Sequence, residues 1–232
     1  MHTPSTLACA LAVLTCLPQA STAAEIDYQA MEEKTAEDRA AIKLLWAATP
    51  GLSRAERLTQ LEQHLLGRID ALHKRWLGTR WGLGMPQTTR PQQGKVNCGL
   101  FVALILRYAG FNFNIWTFNR QAARDAIWSM APRGQRRSFY RVKMKRFLAG
   151  VKKMGPGLFL IGLDFHIGFL RQDEAGLRFV HASYVDKKVV DEPASEAIPI
   201  LTSRSRVVGK ILQPKMLRWW LTDRRIKILG KR

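Results

Sequence analysis

The sequence has 232 residues, of which 37 are Lys or Arg and 18 are Asp or Glu, so its formal net charge is +19. This length suits one domain with a sizeable core. The sequence contains no internal repeat and no low-complexity tract, which excludes repeat and fibrous classes of protein. The surplus of positive charge implies a polyanionic neighbour.

Residues 1–24 have the pattern of a secretory signal peptide and contain no Lys, Arg, Asp or Glu. An apolar run from Leu7 to Leu17 is followed by Pro18 and by the small residues 21–23. This run is too short for a stable membrane span. We therefore expect a cleaved signal and a periplasmic or secreted protein. An uncleaved anchor and a lipid attached at Cys16 are the alternatives.

The charge is spread unevenly along the chain. Acidic residues cluster within 25–65, whereas 133–153 carries nine basic residues and no acidic one. The tail after residue 203 carries ten basic residues against Asp223 as its single acid. In an exported protein this pattern favours peptidoglycan or another anionic envelope polymer as partner, with peripheral membrane contact through the basic tail as a second option. A solvated basic surface is the plain alternative, and nucleic acid is not expected as a partner after export.

Helical patterns dominate the first part of the chain. After a linker at 24–34 we expect a helix over 35–48. Ser53 and Glu56 have the spacing of a capping box, which predicts a second helix that runs to about Trp76.

A loop at 78–96 leads into an apolar run that begins with Cys98. Asn97 is a good N-cap residue and Gly110 stands where a helix C-terminal glycine belongs, so we expect a buried helix between them. A cysteine in the first turn is placed for reactivity, because the positive end of the helix dipole stabilises a thiolate and lowers the thiol pKa. The plain alternative is that Cys98 is a small core side chain.

Removal of the signal peptide leaves Cys98 as the only cysteine of the mature chain, because Cys9 and Cys16 lie within residues 1–24. Exported proteins use cysteines mainly in pairs, as disulfides. A single free thiol therefore points to a reactive role.

Residues 111–153 are aromatic at first and then strongly basic. We expect a helix over 120–129 and a basic amphipathic helix over 138–151, which is ended by Pro156 and Gly157. In the tail, the pair Trp219 and Trp220 fits either core packing or surface anchoring.

After residue 157 the apolar pattern changes to strand spacing. The turn residues 173–176 separate two short apolar runs and predict a hairpin. Helices followed by antiparallel strands define an α+β fold. The expected strands are 158–163, 166–171, 178–183, 185–190 and 207–212.

Two histidines stand at the ends of the two hairpin strands. His166 begins one strand and His181 ends the other, so antiparallel pairing brings both imidazoles to one edge of the sheet. One imidazole can act as the base for Cys98, and the second can orient the first. His64 and His73 lie on polar-leaning helices, and we expect them at the surface.

A metal site is the alternative interpretation of Cys98, His166 and His181, because these residue types can bind zinc. A second cysteine motif and a His-x-x-x-His pair are both absent from the sequence, which weakens this interpretation. We expect neither a metal nor a cofactor.

The sequence resembles the NlpC-type (NlpC/P-sixty) cell-wall cysteine peptidases of the papain-like superfamily. The resemblance covers roughly residues 75–212 and rests on motifs that occur in the family's order. These are Leu77-Gly78-Thr79-Arg80-Trp81-Gly82 before the nucleophile, Asn97-Cys98-Gly99-Leu100-Phe101-Val102 at the nucleophile, Gly155-Pro156-Gly157-Leu158-Phe159, His166-Ile167-Gly168-Phe169-Leu170 and Phe179-Val180-His181-Ala182-Ser183.

The resemblance implies a papain-like α+β core in which the Cys98 helix packs on an antiparallel sheet. It implies Cys98 as nucleophile, His166 as general base and His181 as the orienting residue, with the Cys98 amide in the oxyanion hole. We expect Trp81, Asn97 and Gly99 to bind substrate. Trp81 replaces a common tyrosine and Gly99 follows the cysteine where the family has serine, and these departures bear on specificity.

The resemblance also implies a domain organisation and a reaction. We expect a helical region at 25–76 and a catalytic domain at 77–232 with a basic insert at 111–153, in a monomeric protein. The reaction is hydrolysis of an amide bond in peptidoglycan stem peptides. Within the superfamily, an acyltransferase or an amidase acting on the sugar–peptide bond is the alternative. From another class, the alternative is an inactive cationic protein that binds the cell wall or a membrane.

Overall fold

One sheet of eight strands organises residues 28–229, the part of the chain that the computed structural model describes. The strand order is β2-β1-β7-β6-β5-β4-β8-β3, and every neighbouring pair is antiparallel except β1 and β2. The strands are β1 (Arg80–Trp81), β2 (Lys95–Val96), β3 (Arg136–Tyr140), β4 (Gly157–Gly162), β5 (Ile167–Asp173), β6 (Gly176–Ser183), β7 (Lys188–Pro193) and β8 (Ser205–Lys210).

Helices cover both faces of the sheet. Along β4 the side chains alternate, so that Leu158 and Leu160 join the core on one face while Phe159 and Ile161 join a smaller core on the other. The larger core also takes in α1, α2 and α3, and the smaller one is covered by α6 and α7. The helices are α1 (Tyr28–Ala48), α2 (Arg54–Trp76), α3 (Cys98–Tyr108), α4 (Ile115–Asn119), α5 (Ala123–Met130), α6 (Met144–Lys152), α7 (Ile198–Thr202) and α8 (Pro214–Leu221).

The α+β fold predicted from the sequence is confirmed, and so is the buried helix α3. Asn97 caps α3, because its side-chain oxygen accepts a hydrogen bond from the amide of Leu100 at 2.8 Å. At the other end Gly110 has φ +100°, and a Cβ there would lie 2.5 Å from Thr35 and 2.6 Å from Trp220. Only glycine therefore fits this close approach of α1 and α8 to the end of α3.

The basic tail packs against the helices. The Trp220 indole Nε1 donates to the carbonyl of Ala109 at 2.8 Å, and its ring is buried. Trp219 is flanked by Lys215 and Arg224, whose charged groups lie 4.6 Å and 5.1 Å from its ring centroid. For Trp220 the structure thus selects packing over surface anchoring.

Three local expectations were wrong. The helix expected over 138–151 is replaced by the edge strand β3 and by α6, because residues 136–140 pair with β8 along their whole length. The linker expected at 24–34 is helical from Tyr28, because Thr35 and Asp38 on the same helix are buried against the core. The strand expected at 185–190 begins only at Lys188.

The capping box at Ser53, the end of α2 at Trp76 and the hairpin turn between Asp173 and Gly176 agree with the prediction. The predicted signal peptide lies outside the described residues. Within 28–229, none of the helices combines the length and the apolar character that a membrane crossing requires.

Candidate active site

The residues singled out by the sequence meet at one end of the sheet, which we call the catalytic end. Cys98 begins α3, with only Asn97 between it and the end of β2, and His166 ends the short turn between β4 and β5. His181 lies in β6 opposite Val190 of β7. Because neighbouring strands run antiparallel, the start of β5 and the end of β6 lie side by side, as the hairpin predicted.

A cleft of about 620 Å³ opens at the catalytic end, and both Cys98 and His166 line it. Asn97 and Gly99, for which we predicted a role in substrate binding, line it as well. Trp81 is not among the lining residues; its ring packs 6.4 Å from that of Tyr184 and under the ammonium group of Lys187.

Burial raises the pKa of the Cys98 thiol, and hydrogen bonds from the backbone amides of Ile167, Gly99 and Cys98 itself oppose that effect. The expected lowering by the helix start is therefore wrong in direction. Helix α3 supplies its free first-turn amides as the prediction assumed. The cost of placing a charge in a mostly apolar cleft is larger than their contribution.

A chain of hydrogen bonds connects two histidines and a carboxylate. His166 Nε2 lies 2.7 Å from His181 Nδ1, and His181 Nε2 lies 2.8 Å from Glu192 Oε1. The Glu192 carboxylate can only accept, so His181 donates from Nε2 and accepts at Nδ1. His166 then donates from Nε2 and holds a free lone pair on Nδ1, the tautomer that a general base requires.

Both imidazoles are neutral. Burial lowers the pKa of His166 to about 4. Burial also lowers the pKa of His181, and the neighbouring His166 adds to that effect. The resting cleft therefore contains a neutral thiol and a neutral base, so the thiol must lose its proton during attack rather than before it.

Aromatic packing holds the relay in place. The rings of Phe179 and His181 are stacked with centroids 3.9 Å apart, and the His166 ring stands edge-on to His181 at 4.9 Å. Gly168 makes room for this stack, because a Cβ at that position would lie 2.6 Å from Phe179 and 2.8 Å from His181 Cβ.

The donor atoms do not fit the metal alternative. Two nitrogen ligands of one tetrahedral zinc ion stand about 3.3 Å apart at ordinary bond lengths. The 2.7 Å between His166 and His181 is the distance of a shared proton. Among residues 28–229, no group of three or more His, Cys, Asp or Glu side chains is placed to hold a metal ion.

His73 lies in the core rather than at the surface as expected. It is 5% exposed, its ring is 4.7 Å from that of Phe169, and burial lowers its pKa to about 3. The side chain of His64 is 13% exposed and lies 3.8 Å from Asp38. Helix α2 buries the face that carries these residues because α3 and α8 pack on it.

Glu192 and Arg124 are site residues that the sequence did not reveal. The expected strand ended at residue 190, so Glu192 stood outside it. The register of β6 on β7 is what places its carboxylate beside His181. Arg124 belongs to no recognisable sequence motif. It lines the cleft because α5 packs on β4 and β8.

The sequence matches no protein-family model and no curated protein. Among solved structures, it is similar to an N-acetylmuramoyl-L-alanine amidase from Bacteroides uniformis ATCC 8492. The two chains share 14% sequence identity over 66% of this chain and 99% of the amidase, with a TM-score of 0.33. The chemistry of the site therefore rests on its own geometry.

Proposed function

We propose that this protein is an exported cysteine hydrolase of the NlpC type that cleaves an amide bond in peptidoglycan stem peptides. The observation that carries the proposal is the tautomer chain from Glu192 through His181 to His166. It leaves His166 Nδ1 as a free base in the cleft that also holds the Cys98 thiol.

In the first half-reaction, Cys98 Sγ attacks the substrate carbonyl carbon as its proton moves to His166 Nδ1. In this proposal the amides of Cys98 and Gly99, which have no partner within the helix and lie close to Sγ, stabilise the oxyanion. The C–N bond then breaks, and His166 gives the proton to the leaving amine. A thioester on Cys98 remains.

In the second half-reaction, water attacks the thioester and gives a proton to His166. The C–S bond breaks, the thiol regains a proton from His166, and a carboxylic acid leaves the site. His181 remains neutral throughout, and its bond to Glu192 orients the imidazolium that forms on His166 in each step.

The charges of the cleft support an acidic substrate. Arg124 is the basic side chain among its lining residues, and it stacks over the Trp128 ring at 4.9 Å. Asp164 also lines the cleft, but its two oxygens accept hydrogen bonds from the amides of Arg204 and Ser205. Arg124 is 61% exposed despite its 3.5 Å ion pair with Asp125, so it can still bind a free carboxylate of a stem peptide.

The decisive experiment is digestion of purified peptidoglycan by the parent protein and by Cys98→Ala. We expect Cys98→Ala to retain the fold, as judged by circular dichroism, and to lose activity entirely. The masses of the released fragments separate a stem-peptide bond from the sugar–peptide bond and from acyl transfer. Cleavage by Cys98→Ala at the parent rate would refute the mechanism.

Export is part of the same proposal and has its own test. Sequencing of the mature amino terminus should find cleavage close to residue 24. An unprocessed amino terminus on a protein recovered from the cytoplasm would contradict export.

A further inference from the structure

The catalytic end of the sheet carries most of the strongly exposed apolar side chains. Among the described residues, the five large apolar side chains with the highest exposure are Phe165 (96%), Met85 (73%), Leu44 (72%), Leu83 (66%) and Tyr140 (65%). All of them except Leu44, which lies on α1, are found at this one end. Such clustering marks an interaction surface, whereas single exposed apolar residues do not.

Strand register and loop contacts place these four side chains at the same end of the sheet, where two of them, Phe165 and Leu83, also line the cleft. Phe165 lies in the β4–β5 turn, and Tyr140 ends β3 opposite Ser205, the first residue of β8. Leu83 and Met85 lie in the loop that leaves β1. Gln87 in that loop accepts from the amide of Asn97 at 2.7 Å, which holds the loop beside the start of α3.

Basic side chains surround the apolar ones. We call the whole set the rim; its basic members are all exposed and are Arg141, Lys143, Lys187, Lys188 and Arg204. The acids of this end are engaged by the protein, because Asp164 accepts from two backbone amides and Asp186 accepts from the Ser183 hydroxyl at 2.7 Å. The five basic residues of the rim outnumber these two carboxylates, so the net charge of the group is positive.

We propose that the rim docks the protein on an anionic phospholipid bilayer, with the catalytic cleft facing the membrane surface. Exposed aromatic and aliphatic side chains gain free energy by entering the interfacial region of a bilayer. Each nearby Lys or Arg adds attraction to anionic headgroups. A hydrated wall polymer complements the bases but has no apolar phase into which Phe165, Met85 and Leu83 could insert.

This docking surface includes Arg204 but not the basic tail beyond Lys210, which leaves the opposite end of β8 and packs on the helices. The rim does not require the proposed hydrolysis. If both proposals hold, the cleft acts on substrates that lie at the bilayer surface.

The test is co-sedimentation of the full chain with vesicles of phosphatidylcholine, alone or mixed with phosphatidylglycerol. We expect the parent to bind the anionic vesicles, and Phe165→Asp and Tyr140→Asp to bind them about tenfold or more weakly, because each change removes an inserting group and adds a repelled charge. Leu44→Asp is the matched control and should bind like the parent. All variants keep the same amino terminus as the parent, so each difference in binding is due to the substitution.

The charge contribution is tested separately. Lys143→Gln should weaken binding about fivefold on anionic vesicles only, since one basic residue near such a surface contributes roughly 1 kcal/mol. Arg218→Gln in the tail is the control and should have no effect. The proposal fails if the parent does not bind anionic vesicles, if Leu44→Asp weakens binding as much as Tyr140→Asp, or if only the tail variant matters.

A catalytic measurement keeps the two proposals apart. Tyr140 does not line the cleft, so Tyr140→Asp should cleave a soluble stem peptide at the parent rate while its vesicle binding is weakened. Vesicle binding by Cys98→Ala should equal that of the parent, even if the proposed hydrolysis is wrong.

Discussion

At the scale of single residues, Glu192 orients the two histidines of the candidate active site. Its carboxylate fixes the tautomer of His181, and His181 in turn fixes that of His166. Glu192 does not touch the reacting atoms, so it is a positioning residue. Burial raises its pKa, but its partly exposed position on β7 still gives access to solvent.

We predict that Glu192→Gln lowers kcat about tenfold and that Glu192→Leu lowers it on the order of a hundredfold. Glutamine can still accept the hydrogen bond from His181, but it lacks the charge that stabilises the imidazolium of His166. Leucine removes the acceptor and leaves the His181 tautomer free.

The control for Glu192 is Asp191→Asn. Asp191 is next in the chain but pairs with Arg178 at 2.9 Å instead of with the histidines. We expect parent activity from this variant. The acid limb of the pH–rate profile should move to lower pH in Glu192→Gln, because loss of the negative charge lowers the pKa of His166. An unchanged acid limb in that variant would contradict the relay.

The thiol itself provides a measurement that needs no substrate. Because burial raises the pKa of Cys98, alkylation by iodoacetamide should have its midpoint at or above the ordinary thiol value of about 8.5. His166→Ala should slow alkylation near neutral pH, where His166 acts as the base. A midpoint well below the ordinary value would show a preformed thiolate–imidazolium pair instead.

At the scale of elements, strands β5 and β6 position the relay because Gly168 in β5 has no side chain. We predict that Gly168→Ala destabilises the protein by about 1–3 kcal/mol, because the added methyl group overlaps Phe179 and His181. It should lower activity as well, since the His181 ring must move away from His166.

Gly67 provides the matched control for Gly168. A Cβ at this position in α2 meets nothing within 4 Å. Gly67→Ala should therefore stabilise the protein by up to about 1 kcal/mol through helix propensity. Urea unfolding with parallel activity measurements tests both variants. A neutral effect of Gly168→Ala on both quantities would show that the stack tolerates displacement.

At the scale of the whole molecule, buried neutral histidines tie stability to pH. His73 and His166 have pKa values lowered to about 3 and about 4 in the folded state, against an ordinary value of 6.5. Below pH 6.5 the unfolded chain binds protons that the folded protein does not. The free energy of unfolding therefore decreases as the pH is lowered below 6.5, by about 1.4 kcal/mol per pH unit for each such group.

We predict that His73→Phe flattens this dependence. The His73 ring lies among aromatic side chains and its Nε2 atom has no hydrogen-bond partner, so an apolar ring can replace it. The difference in free energy of unfolding between the variant and the parent should be about 2 kcal/mol more favourable to the variant at pH 5 than at pH 8. Chemical unfolding at both pH values measures the difference, and equal differences at the two pH values would contradict the prediction.

Local signals in the sequence determined the elements that contribute most of the site. The Asn97 cap, the Gly110 terminus and the continuous apolar run specify α3, because capping and burial act over a single helix. The hairpin turn at 173–176 was enough to bring His166 and His181 to one edge. Cys98 stood out by composition alone, as the cysteine that remains after the expected signal peptide.

Tertiary structure decided the rest, because those features depend on pairing between distant segments. Residues 136–140 form strand β3 because they pair with β8, although the local sequence pattern predicts a basic helix. Glu192 joins the histidines only through the register of β6 on β7. The direction of the Cys98 pKa shift depends on how much water the assembled cleft excludes, and the basic rim depends on which loops meet at the catalytic end.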